Sequence, residues 1–174
     1  EEKANKIYSD IEYFGGYGFN RAHAASYAMV SYITAYLKAH YTAEYMAALM
    51  SSVVGNKEKL AAYLSDCRKL EIEVLPPSLN KSGKDFNVLS DSQVIFGLSA
   101  INGIGESIAE AIILGRDEKD PYSSVYDFFR RCDPATLKKS TLEHLAYAGA
   151  LDELFTVSHD GDLTRKKELE LLEK

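Results

Sequence analysis

The sequence contains no tryptophan, only two cysteines among 174 residues, and no uninterrupted apolar run near the length of a membrane span. Cys67 and Cys132 are too few for a disulfide framework, and neither has a partner at metal-ligand spacing, so we predict reduced thiols and no metal site. No signal peptide is visible, and the first residue is Glu1 rather than methionine. We therefore expect an excerpt of a longer protein.

An excess of positive charge is also missing, because 26 acidic and 20 basic residues give a net charge of −6. Nucleic-acid-binding domains usually carry a basic surface, and this composition does not supply one over the whole chain. If the chain binds DNA, we expect local contacts to the phosphate backbone, weak affinity in isolation and a shallow dependence on salt.

What the sequence does contain is helical patterning, and we predict a mainly α fold. Residues 3–14 predict a short helix that Gly15-Gly16 ends, and residues 21–39 predict a second helix that is apolar on most sides. Helices over residues 43–54 and 57–70 complete a predicted compact bundle for residues 1–70. Because an all-round apolar helix is usually buried, we expect core tyrosines rather than a stacking surface for single strands: Tyr27, Tyr32 and Tyr36.

Short strands are predicted after this bundle. Val74 and Leu75 indicate a strand that Pro76-Pro77 ends, since proline cannot donate to a strand ladder. Residues 86–89 and 93–96 flank Ser90-Asp91-Ser92, which predicts a β-hairpin.

The most specific local motif is Ile101-Asn102-Gly103-Ile104-Gly105, which an amphipathic run follows at once. This spacing of hydrophobic residues and glycines is typical of a helix-hairpin-helix, in which both glycines can take positive φ and let the backbone approach another chain closely. Exposed N–H groups would then lie at the start of the next helix, where the dipole favours phosphate. The alternative is a tight turn between two buried helices. The candidate DNA-binding residues here are Asn102, Gly103, Ile104, Gly105 and Ser107.

A second connection at residues 133–139 joins two further predicted helices, over 125–132 and from about Ser140 to Ala148. It resembles the first hairpin in position but has no glycines. Lys138 and Lys139 either offer point charges to phosphate or belong to a solvated loop. We therefore divide the chain into helical residues 1–75, a linker with short strands at 76–98, a tandem helix-hairpin-helix unit at 99–155 and the start of a following region at 156–174.

Several further segments carry a resemblance to a known family. They include Tyr17-Gly-Phe-Asn-Arg-Ala-His-Ala-Ala-Ser-Tyr-Ala28, Tyr36-Leu-Lys-Ala-His-Tyr41, Val74-Leu75-Pro76-Pro77, Asn80-Lys81-Ser82 and Ala148-Gly149-Ala150-Leu151-Asp152. In this order they resemble the α subunits of bacterial DNA polymerase III, the C-family replicative polymerases, over about residues 12–155.

The resemblance implies that residues 1–75 form the end of the fingers domain and that the hairpins lie near duplex DNA. It implies a bacterial, cytoplasmic enzyme that uses Mg²⁺ held by palm aspartates, and no such aspartate cluster is recognisable here. The fragment alone should therefore be catalytically inert. The implied partners are primer–template duplex DNA, a deoxynucleoside triphosphate, the sliding clamp and other replisome subunits, with no membrane.

The resemblance also implies a set of residues near the incoming nucleotide: Asn20, Arg21, His23 and Tyr27. A helix N-terminus is a suitable place to meet a triphosphate, and Tyr27 lies one turn from His23. The alternatives are a helix cap for Asn20, a core histidine for His23 and plain packing for Tyr27. For the whole chain, the competing functions are a free-standing DNA-binding protein with the same hairpins and a helical interaction domain in which the hairpins are purely structural.

Overall fold

The computed structural model describes residues 1–17, 21–117, 120–132 and 137–155, and within them the fold is mainly helical, as predicted. Its elements, in chain order, are α1 (Glu2–Tyr17), α2 (Arg21–His40), α3 (Thr42–Ser51), α4 (Lys57–Lys69), β1 (Glu73–Leu75), β2 (Asn87–Ser90), β3 (Gln93–Ile95), a 3₁₀ turn (Leu98–Ala100), α5 (Glu106–Asp117), α6 (Val125–Arg131), α7 (Lys139–Ala148) and a second 3₁₀ turn (Asp152–Leu154).

The chain divides into two compact units, Glu1–His40 and Tyr41–Lys174. In the first unit, α1 continues through Gly15, so the predicted helix end at this residue is wrong. A glycine inside a helix costs only about 1 kcal/mol relative to alanine, which the rest of α1 tolerates.

Helix α2 has no buried residue, so the prediction of a buried helix is wrong. Tyr27, Tyr32 and Tyr36 are 61%, 67% and 46% exposed, which contradicts their assignment to a core. An apolar sequence shows that a helix can be buried, but burial also requires another surface that covers the helix.

Helices α3 and α4 belong to the second unit, where they pack on its sheet. Met46, Met50 and Cys67 from these helices are buried with Phe86 and Val94 from the strand region. Helix α4 begins as its sequence predicts, since the Asn56 side chain accepts a hydrogen bond from the Lys59 N–H at 3.0 Å.

The sheet has the strand order β1-β3-β2. β2 and β3 are antiparallel, with Val88 opposite Val94, which confirms the predicted hairpin. β1 pairs in parallel with β3, with Val74 opposite Val94, a long-range pairing that the sequence pattern did not reveal.

A second core lies under the helical hairpins, built from buried residues of several elements: Leu98, Ile101, Ile104, Ala109, Ile112, Phe128, Leu145 and Leu151. Leu79 from the segment after β1 is fully buried in it. The segment between β1 and β2 therefore contributes to this core. The assignment of residues 1–75 to a fingers domain stays a prediction.

Candidate nucleic-acid interface

The hairpin at residues 101–105 is a tight turn held by its two isoleucines. Ile101 and Ile104 are buried, and the Ile104 N–H donates to the Ile101 carbonyl at 3.0 Å. The residues between and after them, Asn102, Gly103 and Gly105, are exposed. The element before the turn is only the 3₁₀ turn Leu98–Ala100, so the first helix of the motif is very short.

Gly103 has φ +84°, a conformation that side chains other than glycine rarely adopt. A Cβ atom at this position would overlap the imidazole of His144 in α7. Gly103 therefore lets the first hairpin pack against α7. The contact that requires a glycine at this position lies inside the protein.

Gly105 is different from Gly103, and the prediction of positive φ at both glycines is wrong for this one. It occupies the N-cap position of α5, where its carbonyl accepts from the N–H groups of Ile108 and Ala109 at 3.1 and 3.0 Å. A Cβ atom on Gly105 would have nothing within 4 Å. No internal contact or backbone angle requires a glycine here, and the space in front of it is open.

The N-terminus of α5 is exposed at Glu106 and Ser107. Among the described residues, no backbone carbonyl or side chain accepts a hydrogen bond from either N–H group. Together with the helix dipole, such free donors form a place for a phosphate oxygen.

The carboxylate of Glu106, at the first position of α5, has a cationic partner. Lys84 Nζ lies 3.7 Å from Glu106 Oε2 and 3.4 Å from Glu110 Oε1. The nearby Glu106 carboxylate, followed by Glu110, raises the pKa of Lys84. The Glu106 carboxylate is thus paired rather than free.

The second hairpin lies between α6 and α7, and its residues 133–136 are outside the described part of the chain. Helix α6 begins at the predicted residue, and the side chain of Ser124 caps it by accepting from the Asp127 N–H at 3.1 Å. Helix α7 begins at Lys139 with Lys138 as its N-cap residue, one residue before the predicted start at about Ser140. The Leu142 N–H already donates to the Lys138 carbonyl at 3.1 Å, which places the helix start earlier. Lys138 and Lys139 are exposed at this helix N-terminus.

Arg131 has an internal role in this region. Its guanidinium donates to the Asp120 carbonyl at 2.7 Å, pairs with Asp127 Oδ2 at 2.6 Å and lies over the Tyr122 ring at 4.4 Å. The backbone N–H of Ser123, together with Arg131, holds the pKa of Asp127 below its usual range. Burial raises the pKa of the Tyr122 hydroxyl, which donates to the Ile112 carbonyl at 2.6 Å. This network joins α5 to α6.

The predicted nucleotide-proximal residues lie at the start of α2, in the other compact unit. Arg21, His23 and Tyr27 are exposed, and the His23 and Tyr27 rings lie 4.4 Å apart between centroids. Their exposure excludes a core histidine and a packed tyrosine in the described structure. Asn20 lies outside the described residues.

The described residues contain no group of three histidine, cysteine, aspartate or glutamate side chains that could hold a metal ion. They also contain no helix long and apolar enough to cross a membrane.

A family model for the helix-hairpin-helix motif matches residues 71–160, just over half of the chain. The chain belongs to the helix-hairpin-helix family. It is 47% identical over 152 residues to the DNA polymerase III subunit alpha of Thermus aquaticus, which covers 87% of this chain and 12% of that protein. The same subunit from Pseudomonas aeruginosa is 41% identical to this chain over 157 residues, and the one from Escherichia coli is 41% identical over 153 residues. The chain thus spans about an eighth of the length of these relatives, and the resemblance to the α subunits is confirmed.

The local sequence pattern located the hairpin at residues 101–105 and both of its glycines. It did not predict the ion pair of Lys84 with Glu106, which lies far from it in the sequence, or the contact of His144 with Gly103. Neither residue has a local signal, because each acts through a contact that only the folded chain creates.

Proposed function

We propose that this chain is the part of a bacterial DNA polymerase III α subunit that holds primer–template duplex DNA by its phosphates, without reading sequence. The relatives support the polymerase because the similarity covers 87–90% of the chain, including residues that the helix-hairpin-helix match at 71–160 does not reach. A free-standing DNA-binding protein with only the hairpins in common would not need that similarity.

The observation that carries the DNA-binding role is the open position of Gly105. Packing explains Gly103, which lies against His144, but nothing inside the described structure fills the space beside Gly105. Capping of α5 would be served as well by serine or asparagine. A glycine at a free helix N-terminus suits the close approach of an external chain, and phosphate is the group that such an N-terminus favours. A purely structural hairpin tolerates glycine at this N-cap position but gives no reason to prefer it over asparagine, aspartate or serine.

The proposed binding is tested with the full chain and two fluorescent duplexes of equal length and unrelated sequence. We expect equal affinities for the two duplexes at low salt and a modest loss as salt increases, because few phosphates are contacted and the net charge is −6. No binding at low salt, or a strong preference for one duplex, would contradict the proposal.

Catalysis belongs elsewhere in the proposed polymerase. Palm aspartates outside this chain would hold Mg²⁺ for nucleotide addition, and the described residues offer no equivalent cluster. We expect no extension of a primer by this chain with Mg²⁺ and all four nucleotides. Templated synthesis would show that the catalytic centre has been assigned to the wrong part of the molecule.

The start of α2 supports a second, finer role near the incoming nucleotide. Arg21 is the first residue of α2 and is exposed, where a cation and the helix dipole both favour a triphosphate. In the polymerase that carries this segment, Arg21→Ala should raise the KM for nucleotide more than Lys38→Ala, a matched loss of a cation at the other end of the helix. Equal KM values for the two variants would remove Arg21 from the nucleotide site. The sliding clamp and other replisome subunits would bind the parent polymerase.

A further inference from the structure

The segment that carries Lys84 is fixed beside the hairpin by backbone contacts. The Leu98 N–H donates to the Gly83 carbonyl at 2.9 Å, and the Ser99 N–H and hydroxyl both donate to the Lys84 carbonyl, at 3.0 and 2.8 Å. Leu98 and Ser99 belong to the 3₁₀ turn that leads directly into the hairpin. The position of Lys84 relative to residues 101–105 is therefore set by the fold.

Gly97 allows this close approach. A Cβ atom on Gly97 would lie 2.6 Å from the Lys84 carbonyl oxygen and would also overlap the backbone of Asp85. A larger residue at position 97 would push the two segments apart and move Lys84 away from α5.

Two acids near the start of α5 face this lysine. Glu106 is the first residue of the helix, and Glu110 lies one turn later, so their carboxylates repel each other and any phosphate at the helix N-terminus. The two glutamate side chains are 77% and 63% exposed, whereas that of Lys84 is only 35% exposed. Lys84 bridges both carboxylates from the side of the packed segment.

We infer that Lys84 is a positioning residue of the hairpin's phosphate site: it neutralises Glu106 and Glu110 and holds their carboxylates away from the free N–H groups of α5. The inference rests on the proposed binding of duplex DNA. It explains how a helix that begins with a glutamate still serves as an anion site. Lys84 acts on the DNA through the two acids rather than as a phosphate ligand of its own.

A cycle of variants in the full chain tests this role, with duplex affinity measured at low salt. Lys84→Met should weaken binding about fivefold, the effect of one uncompensated charge some 4 Å away in water. Lys81→Met is the matched control, because Lys81 lies in the same segment but pairs with Glu153 at 3.3 Å. We expect less than a twofold change for this control. Surface ion pairs contribute little to stability, so both variants should fold.

The deciding comparison uses variants in which both glutamates have lost their charge. In a Glu106→Gln/Glu110→Gln background, Lys84→Met should change affinity less than twofold, since no carboxylate remains to be neutralised. A fivefold loss that persists in this background would overturn the inference, because Lys84 would then act on the DNA independently of the acids. Unchanged affinity for Lys84→Met in the unaltered chain would also overturn it. Failure of the unaltered chain to bind duplex DNA would instead refute the proposed function, and the inference with it.

Discussion

Gly103 and His144 are in direct contact, and through them the first hairpin packs on the helix that follows the second. The imidazole occupies the space that a Cβ atom on Gly103 would need, and Gly103 has the left-handed φ of +84°. The Nδ1 atom of His144 is buried and has no hydrogen-bond partner among the described residues. This contact is a matter of shape rather than of polar recognition.

The first prediction concerns the stability of this contact. Gly103→Ala should lower the free energy of unfolding by about 1–3 kcal/mol, since alanine is strained at positive φ and its methyl group overlaps His144. Urea denaturation measures the change. Gly55→Ala is the control, because Gly55 is exposed with open space around its Cβ position, and it should be nearly neutral. Equal stability of Gly103→Ala and Gly55→Ala would show that the hairpin does not depend on this contact.

A second prediction concerns Asn80, which joins the segment after β1 to the loop before α6. Its amide donates to the Tyr122 carbonyl at 2.9 Å and accepts from the Tyr122 N–H at 2.8 Å. Asn80→Ala should cost about 1–3 kcal/mol in urea denaturation, because both backbone groups of Tyr122 would then be without their hydrogen-bond partner. Asn102→Ala removes the same amide from the exposed hairpin and should leave stability unchanged. If the two variants are equally stable, the Asn80 contacts contribute nothing to folding.

Asp127 provides a prediction about pH. Its carboxylate accepts from the Ser123 N–H and pairs with Arg131, so its pKa is lowered in the folded state. The carboxylate therefore stabilises the fold above the unfolded pKa of about 3.9, and this contribution is lost as pH falls through the lower folded value. Asp127→Asn should be less stable than the unaltered chain at pH 7, and the difference should shrink steadily below about pH 4. A difference in urea midpoint that is constant from pH 7 to pH 3 would contradict this assignment.

A further prediction is that Lys138 and Lys139, at the start of α7, contribute to duplex binding. Replacing both by methionine should weaken duplex binding and reduce the salt dependence, by about one unit in log–log slope for each phosphate that the variant no longer binds. Lys57→Met/Lys59→Met is the matched control, since these lysines are exposed in the first turn of α4. If the two double variants show the same slope of log affinity against log salt concentration, Lys138 and Lys139 do not bind phosphate.

Sequence predicted the parts of this fold that depend on neighbouring residues. The starts of α4 and α6, the β2–β3 hairpin and the end of α7 at Ala148 follow from local patterns, and in the structure Asn56 and Ser124 cap the two helix starts while Gly149, with φ +82°, caps the helix end. The hairpin at 101–105 was located for the same reason. Each of these signals involves groups only a few residues apart, so the chain around them has little influence.

Contacts between segments that are distant in the sequence could not be predicted from local patterns. The parallel pairing of β1 with β3, the contact of Gly103 with His144 and the approach of Lys84 to Glu106 depend on how distant segments pack. Helix α2 shows a different limit, because its apolar sequence predicted burial and none of its residues is buried. Composition cannot say which surface, if any, covers a helix.

The central claim is that duplex DNA places a phosphate at the N-terminus of α5 beside Gly105. Gly105→Asp and Gly105→Asn test it directly, because aspartate and asparagine are both good N-cap residues and should preserve or increase stability. Only the aspartate adds a negative charge at the proposed phosphate position, and Gly55→Asp adds the same charge at another open glycine.

The deciding measurement is the affinity of these three variants for one duplex at low salt. We predict a loss of about tenfold or more for Gly105→Asp, a smaller loss for Gly105→Asn and little change for Gly55→Asp. If Gly105→Asp binds the duplex as tightly as Gly55→Asp while remaining folded, no phosphate lies at this helix N-terminus and the account is wrong.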